Sequence, residues 1–266
     1  MNTVSKIVRA VIVCAVAFIT ISCSVKEDRQ PCPSWIQLFL DSCANVTSSI
    51  NISLWNEQKV FGERIAIADY PDYYERDVPK GHYTLSCVAG IHRSVMDNLS
   101  VMIPHGEDSD SLFVYSNSLS CTEEFTRDTV SLLKKHTCVT LLLNTPEDDP
   151  HTYRYHVFSK VSGMNLVDFS PIYGDFEIVR KAQNDTVRFC LPRQNGDHPE
   201  DLYILVEKED GTPFLKIELG EMIQKAGYNW DTRNLNDIQL EIDYVQFEIS
   251  IVIPDWDAGY KVEFEF

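Results

Sequence analysis

The residues with catalytic or metal-binding potential do not converge on a reaction. His151 and His156 lie five apart in an alternating segment. Odd spacing on a strand turns them to opposite faces, which makes them poor co-ligands. None of the seven histidines sits in a His-Glu-x-x-His pattern. Glu107, Asp108 and Asp110 could offer oxygens to calcium, but the segment lacks the ordered spacing of a calcium-binding loop, and a solvated turn accounts for it. Asp255-Trp256-Asp257 offers two carboxylates, the pair that glycoside chemistry needs, yet it reads as a turn between the last two strands. There is no Gly-x-Ser-x-Gly and no phosphate-cradling glycine loop. Trp35, Trp55, Trp230 and Trp256 could form a glycan platform, although tryptophans near strand ends pack by default in a core or between domains. No enzyme activity, cofactor or metal is expected.

Cys23 is placed for a different chemistry. Lys6 and Arg9 give a short basic start, and Ala10 to Ile21 is a mostly apolar run of about a dozen residues. A spanning helix needs about 20 apolar residues, so this run fits the apolar region of a secretory signal. Small Ser22 then precedes Cys23. In bacterial lipoproteins a cysteine so placed is acylated on sulfur and becomes the new N-terminus; Thr20 stands here where the usual signal has Leu. Residues 1–22 are therefore read as a lipoprotein signal peptide, Cys23 as the lipidation site, carrying palmitate-type chains, and 23–34 as a tether. Stable attachment takes more than one chain, which a diacylated or triacylated cysteine provides. Ser24-Val25-Lys26-Glu27-Asp28 resembles the Lys plus two acids that Bacteroidota place after the lipidated cysteine for surface export. The expected location is the cell outer membrane, facing outward.

The 266 residues allow one large domain or two small ones. A net charge of −17 argues against nucleic acid, whose phosphates need Lys and Arg. It suits a soluble body held outside a cell. Beyond Cys14 and Cys23, six cysteines remain, and six allow 15 pairings. No Cys-x-x-Cys occurs. Cys87, Cys138 and Cys190 sit in apolar runs, where buried free thiols are expected.

The elements that must position any site read as strands. Ile36, Leu38 and Leu40 alternate inward in 35–41. Further strands are expected over 50–55, 60–67, 99–103 and 112–116, and after a turn at Asp77 to Tyr83 with Tyr83, Leu85 and Cys87 on one face. Residues 120–128 look like a polar linker. Thr129 to Asn144 is a long strand interrupted at Lys134-Lys135-His136. Strands follow over 153–159, 176–180, 186–191, 202–207 and 214–219, with a long loop over 160–175. Leu219, Met222, Ile223 and Ala226 have helical spacing, stopped by Gly227. Alternating runs from Ile238 to Phe266 close the chain. Many short strands with one short helix predict an all-β protein of two tandem β-sandwiches, over 35–126 and 127–266.

These residues resemble a family. Cys23 through Trp35 with the alternating strand after it is similar to the start of the FimB-type anchor and accessory lipoproteins of Bacteroidales fimbriae. Val78-Pro79-Lys80-Gly81-His82-Tyr83 looks like the Pro-x-Gly-x-Tyr turn of their transthyretin-like N-terminal sandwich. Gly227-Tyr228-Asn229-Trp230, the strand pair from Ile238 to Ile253, and Trp256 resemble their C-terminal half. Members often have Cys-Pro-Cys where this chain has Cys32-Pro33-Ser34. The resemblance implies two transthyretin-like sandwiches and a place in a type V pilus. In shaft subunits of such pili, a protease cutting after Arg or Lys removes the first strand, and a strand from another subunit fills the groove. Such strand addition exploits unpaired backbone groups and alternate side-chain pockets. An anchor keeps its first strand and lipid. No Lys or Arg lies between Ser42 and Gln58, and Arg29 precedes the first strand. The implied role is the lipid-anchored base, which would fix the fimbria to the outer membrane and limit its length. Partners would be other fimbrial subunits by strand complementation, the outer membrane, and a host or bacterial surface ligand. The alternatives are a tip or accessory adhesin, or a surface glycan- or protein-binding lipoprotein unrelated to pili.

Overall fold

The computed structural model describes residues 32–146, 153–246, 248–252 and 259–263. The strands are β1 (Ser34–Phe39), β2 (Ser49–Asn56), β3 (Gln58–Ala66), β4 (Tyr74–Val78), β5 (Gly81–Ala89), β6 (Val95–Asp97), β7 (Ser100–Met102), β8 (Phe113–Cys121), β9 (Phe125–Thr129) and β10 (Leu133–Lys134). They continue as β11 (His136–Asn144), β12 (Arg154–Asn165), β13 (Pro171–Lys181), β14 (Thr186–Pro192), β15 (Tyr203–Glu207), β16 (Pro213–Ile217), β17 (Ile238–Asp243), β18 (Glu248–Val252) and β19 (Gly259–Glu263). The α-helix among them is α1 (Leu219–Lys225). The protein is all-β.

The first sandwich packs a sheet of order β4-β1-β9 against one of order β10-β8-β5-β2-β3. Alternation puts Ile36, Leu38, Ile50, Ile52, Leu54, Leu85 and Cys87 into one shared core. Burial of several such side chains, at about 1.5–3 kcal/mol each, drives the layers together. The second sandwich joins β14-β11-β17-β18-β19 to β16-β15-β12-β7-β6, with β13 on the other edge of β12. Its core includes Leu141, Tyr155, Phe189, Ile204, Ile223 and Trp230. The helix forms where its apolar spacing predicts. Leu219 and Ile223 are buried, and Gly227 ends it at φ 85°, a conformation glycine adopts freely.

Four expectations change. Residues 120–128, expected as a linker, hold the end of β8 and most of β9, and β9 runs parallel to β1. The loop over 160–175 shrinks to 166–170, because β12 and β13 run on into it. Gly163 sits at a bulge where an added Cβ would lie 2.5 Å from the Val101 carbonyl oxygen, so it marks a close backbone approach rather than a break. The long strand from Thr129 divides at Val130–Leu132 and Lys135 into β9, β10 and β11. Finally, Cys138 and Cys190 form a disulfide and are only half-buried. They face each other across the β11–β14 pair with Cα atoms 4.1 Å apart, within bonding reach. Cys87 is a fully buried free thiol, and desolvation pushes its pKa well up.

The two sandwiches are joined by more than the chain. The β6–β7 hairpin, which follows β5 of the first sandwich, adds to β12 of the second, with Val101 opposite Met164. Val88, Val101, Leu112, Val114, Met164 and Leu166 form a separate buried cluster at this junction.

Candidate strand-exchange site

The first strand lies in the middle of its sheet. β1 pairs antiparallel with β4, from Ser34 opposite Val78 to Leu38 opposite Tyr74. On its other side it pairs parallel with β9, from Trp35 opposite Phe125 to Phe39 opposite Thr129. Two more backbone bonds extend the β9 side: Trp35 donates to the Glu124 carbonyl at 2.8 Å, and Val130 donates to the Phe39 carbonyl at 3.0 Å. Ile36, Leu38 and Leu40 are 1%, 0% and 1% exposed, so the strand fills its own groove.

A polar clamp lies across the three strands. Gln37 Nε2 donates to Glu75 Oε2 at 2.6 Å, and Arg127 Nε donates to Gln37 Oε1 at 2.9 Å. The amide thus joins an acid on β4 to a base on β9. Just past the strand, Ser42 Oγ donates to the Val130 carbonyl at 2.7 Å. The sheets are tied at both sides. Tyr74 and Arg76 on β4 bond to Glu63 on β3, and Tyr115 on β8 donates to the Asp128 carboxylate on β9 at 2.9–3.0 Å. The clamp has no signature in the sequence, because it depends on the β1–β9 register.

The Pro79-Lys80-Gly81-His82-Tyr83 turn has a physical basis. Tyr83 Oη donates to the Pro79 carbonyl at 2.6 Å, closing the corner between β4 and β5. A Cβ on Gly81 would lie 3.2–3.3 Å from that phenol, which leaves little room for any other residue. At the far end of the chain, β19 pairs antiparallel with β18 and forms an edge of its sheet.

The other singled-out residues take structural places. Asp110 accepts the backbone N–H groups of His92, Arg93 and Ser94 at 2.8–3.1 Å. Burial pushes its pKa up, but these three bonds outweigh it and leave the carboxyl below its ordinary value. Asp108 pairs with Arg180 at 2.9 Å and accepts from the Cys190 amide. Glu107 approaches Arg93 at the surface. Among the described residues no group of three or more His, Cys, Asp or Glu is placed to hold a metal, and no helix is long and apolar enough to cross a membrane. His156 lies between Glu177 and Glu207 on neighbouring strands. Trp55 and Trp230 are buried, whereas Trp35 is partly exposed, so these three described tryptophans form no common platform. Cys23, His151 and Asp255-Trp256-Asp257 lie outside the described residues.

The chain matches no protein-family model and no curated protein. Solved structures of Bacteroides and Porphyromonas proteins match its fold. A candidate adhesin from Bacteroides ovatus is 11% identical, with a TM-score of 0.65 over 87% of this chain and 96% of its own. A candidate adhesin from Bacteroides thetaiotaomicron is 12% identical, with a TM-score of 0.63 over 88% and 99%. The fimbrial anchor protein Mfa2 from Porphyromonas gingivalis is 12% identical, with a TM-score of 0.57 over 86% and 100%.

Proposed function

We propose that this chain is a non-enzymatic, lipid-anchored subunit of a type V fimbria, and that it serves as the base holding the fimbria to the outer membrane. One observation carries the reading. β1 occupies the centre of its own sheet, and no Lys or Arg lies between Ser42 and Gln58 to let a trypsin-like protease free it. A subunit so built keeps its first strand and whatever is attached ahead of it. In this proposal residues 1–22 are removed, Cys23 carries the acyl chains, and 23–34 form the tether. The β10–β8 and β9–β1 pairings support placing the border between the sandwiches near residue 135 rather than 126. Neighbouring subunits join by strand complementation at the free sheet edges. The fold shared with Mfa2, described as a fimbrial anchor, supports the same role.

The test is fractionation of cells carrying Cys23→Ala. The altered protein should leave the outer membrane, and the natural protein should co-purify with a fimbrial polymer. Mass spectrometry of the natural protein should find an acylated Cys23 followed by an intact β1. A Cys23→Ala protein that stays membrane-bound would falsify the anchoring claim. A tip or accessory adhesin is the second reading, favoured by the likeness to the two candidate adhesins. Immunogold labelling at the fimbrial tip rather than the base would select it.

A further inference from the structure

We infer that the free end of the first sandwich meets the bilayer directly, with Trp35 and Phe125 seated in the headgroup layer of weakly charged lipid. The inference rests on the anchor reading above and adds to it the face that touches the membrane.

Strand register gathers this end. β1 begins at Ser34 and β9 at Phe125, and the two run parallel with Trp35 opposite Phe125. β4 finishes here, with Asp77 opposite Trp35. Gly81 of β5 faces Cys121 of β8, and Trp55 of β2 faces Thr84 of β5. The β4–β5, β8–β9 and β2–β3 turns therefore lie at the same end. The other end of β5 holds Val88, which faces Val114 and belongs to the cluster joining the two sandwiches. β5 is 9 residues long, which at about 3.3 Å per residue sets the two ends about 30 Å apart. The chain thus enters the first sandwich at the pole away from the second.

That pole is unusually apolar for a solvated tip. Phe125 is 48% exposed, Trp35 38%, and Val60, at the same end of β3, 39%. Residues opposite each other on neighbouring strands share a face, so Trp35 and Phe125 stand side by side. Neither sits on a loose loop. Trp35 belongs to an inner strand whose opposite face is buried, and its backbone N–H donates to the Glu124 carbonyl. An indole with an apolar body and a polar N–H suits the boundary between headgroups and acyl chains.

The tether names the surface that covers this pair. Eleven residues separate Cys23 from Ser34, and fully extended they span at most about 40 Å. An acylated Cys23 holds the pole within that distance of lipid. The contact is then intramolecular in effect, and a weak interfacial affinity is enough. The surrounding charge selects the headgroup. Asp77, Glu123 and Glu124 are exposed beside the aromatic pair, so anionic lipid is repelled and zwitterionic lipid is preferred.

The experiment uses the full protein with its native lipid, reconstituted in vesicles of phosphatidylethanolamine and brominated phosphatidylcholine. Flotation reports attachment, and bromine quenches any indole that reaches the lipid. Attached protein should be quenched, more by bromine near the headgroup than by bromine near the bilayer centre. Trp35→Ala should remove most of the quenching, because Trp55 and Trp230 are buried. Phe125→Ala should reduce it about twofold, and replacing phosphatidylethanolamine by phosphatidylglycerol should also reduce it. Protein that fails to float overturns the anchor reading and this inference with it. Protein that floats but is not quenched, or is quenched equally after Trp35→Ala, overturns this inference alone. So does stronger quenching in phosphatidylglycerol. Iodide supplies the last arm. A Trp35 already shielded from iodide in membrane-free Cys23→Ala protein is covered by its own chain, and one shielded only in detergent-dispersed fimbriae is covered by a partner subunit. Either result overturns the lipid contact.

Discussion

The first and last described strands are held in opposite ways. β1 has a neighbour on each side, a fully buried apolar face, and a glutamine clamped between an acid and a base. Among the described residues β19 has one neighbour, β18, and its other edge is unpaired. An inner strand can leave only if two ladders break and a core opens, whereas an edge strand presents unpaired backbone groups as it stands. Displacing β1 therefore costs more than adding a strand beside β19.

The contrast can be broken most directly at Leu38, which is 0% exposed in the first core. Leu38→Ala should lower stability by about 2–5 kcal/mol, read from the urea midpoint. A loss well under 1 kcal/mol would mean that β1 is dispensable. Next comes Gln37→Ala, which takes the shared partner from Glu75 and Arg127 and should cost about 1–3 kcal/mol by the same measurement. An unchanged midpoint would show that the clamp contributes nothing. The smallest effect belongs to β19. Backbone N–H groups alternate direction along a strand, so of Tyr260→Pro and Lys261→Pro one removes no ladder bond. That variant should cost under about 1 kcal/mol. In β1 every N–H direction faces a partner strand, so Ile36→Pro and Gln37→Pro should both cost more. Equal losses for all four proline variants would erase the distinction between the strands.

What the sequence made legible follows from how local each signal is. The inward set Ile36, Leu38 and Leu40 needs only the two-residue repeat of a strand, and Leu219, Met222 and Ile223 with Gly227 need only helical spacing. β9 was hidden because its residues, Phe-Thr-Arg-Asp-Thr, are half-exposed or exposed throughout, so no apolar face betrays a strand. Its identity depends on pairing with a partner about ninety positions away. The disulfide was hidden for the same reason, since Cys138 and Cys190 meet only once the register of β11 against β14 is set, 52 residues apart. In 160–175, Gly163 and Gly174 imitate a loop. Gly163 makes room for the Val101 carbonyl and Gly174 for the Ser162 side chain.

The hairpin of β6 and β7 bears on how the molecule answers a pull. Because a piece of the first sandwich is a rib of the second sheet, the two bodies cannot swivel about a single covalent link. A tug on one must shear the β7–β12 ladder and strip the Val88, Val101 and Met164 cluster before the halves can part. The chain thus behaves under tension as a stiff bracket rather than as two beads on a string.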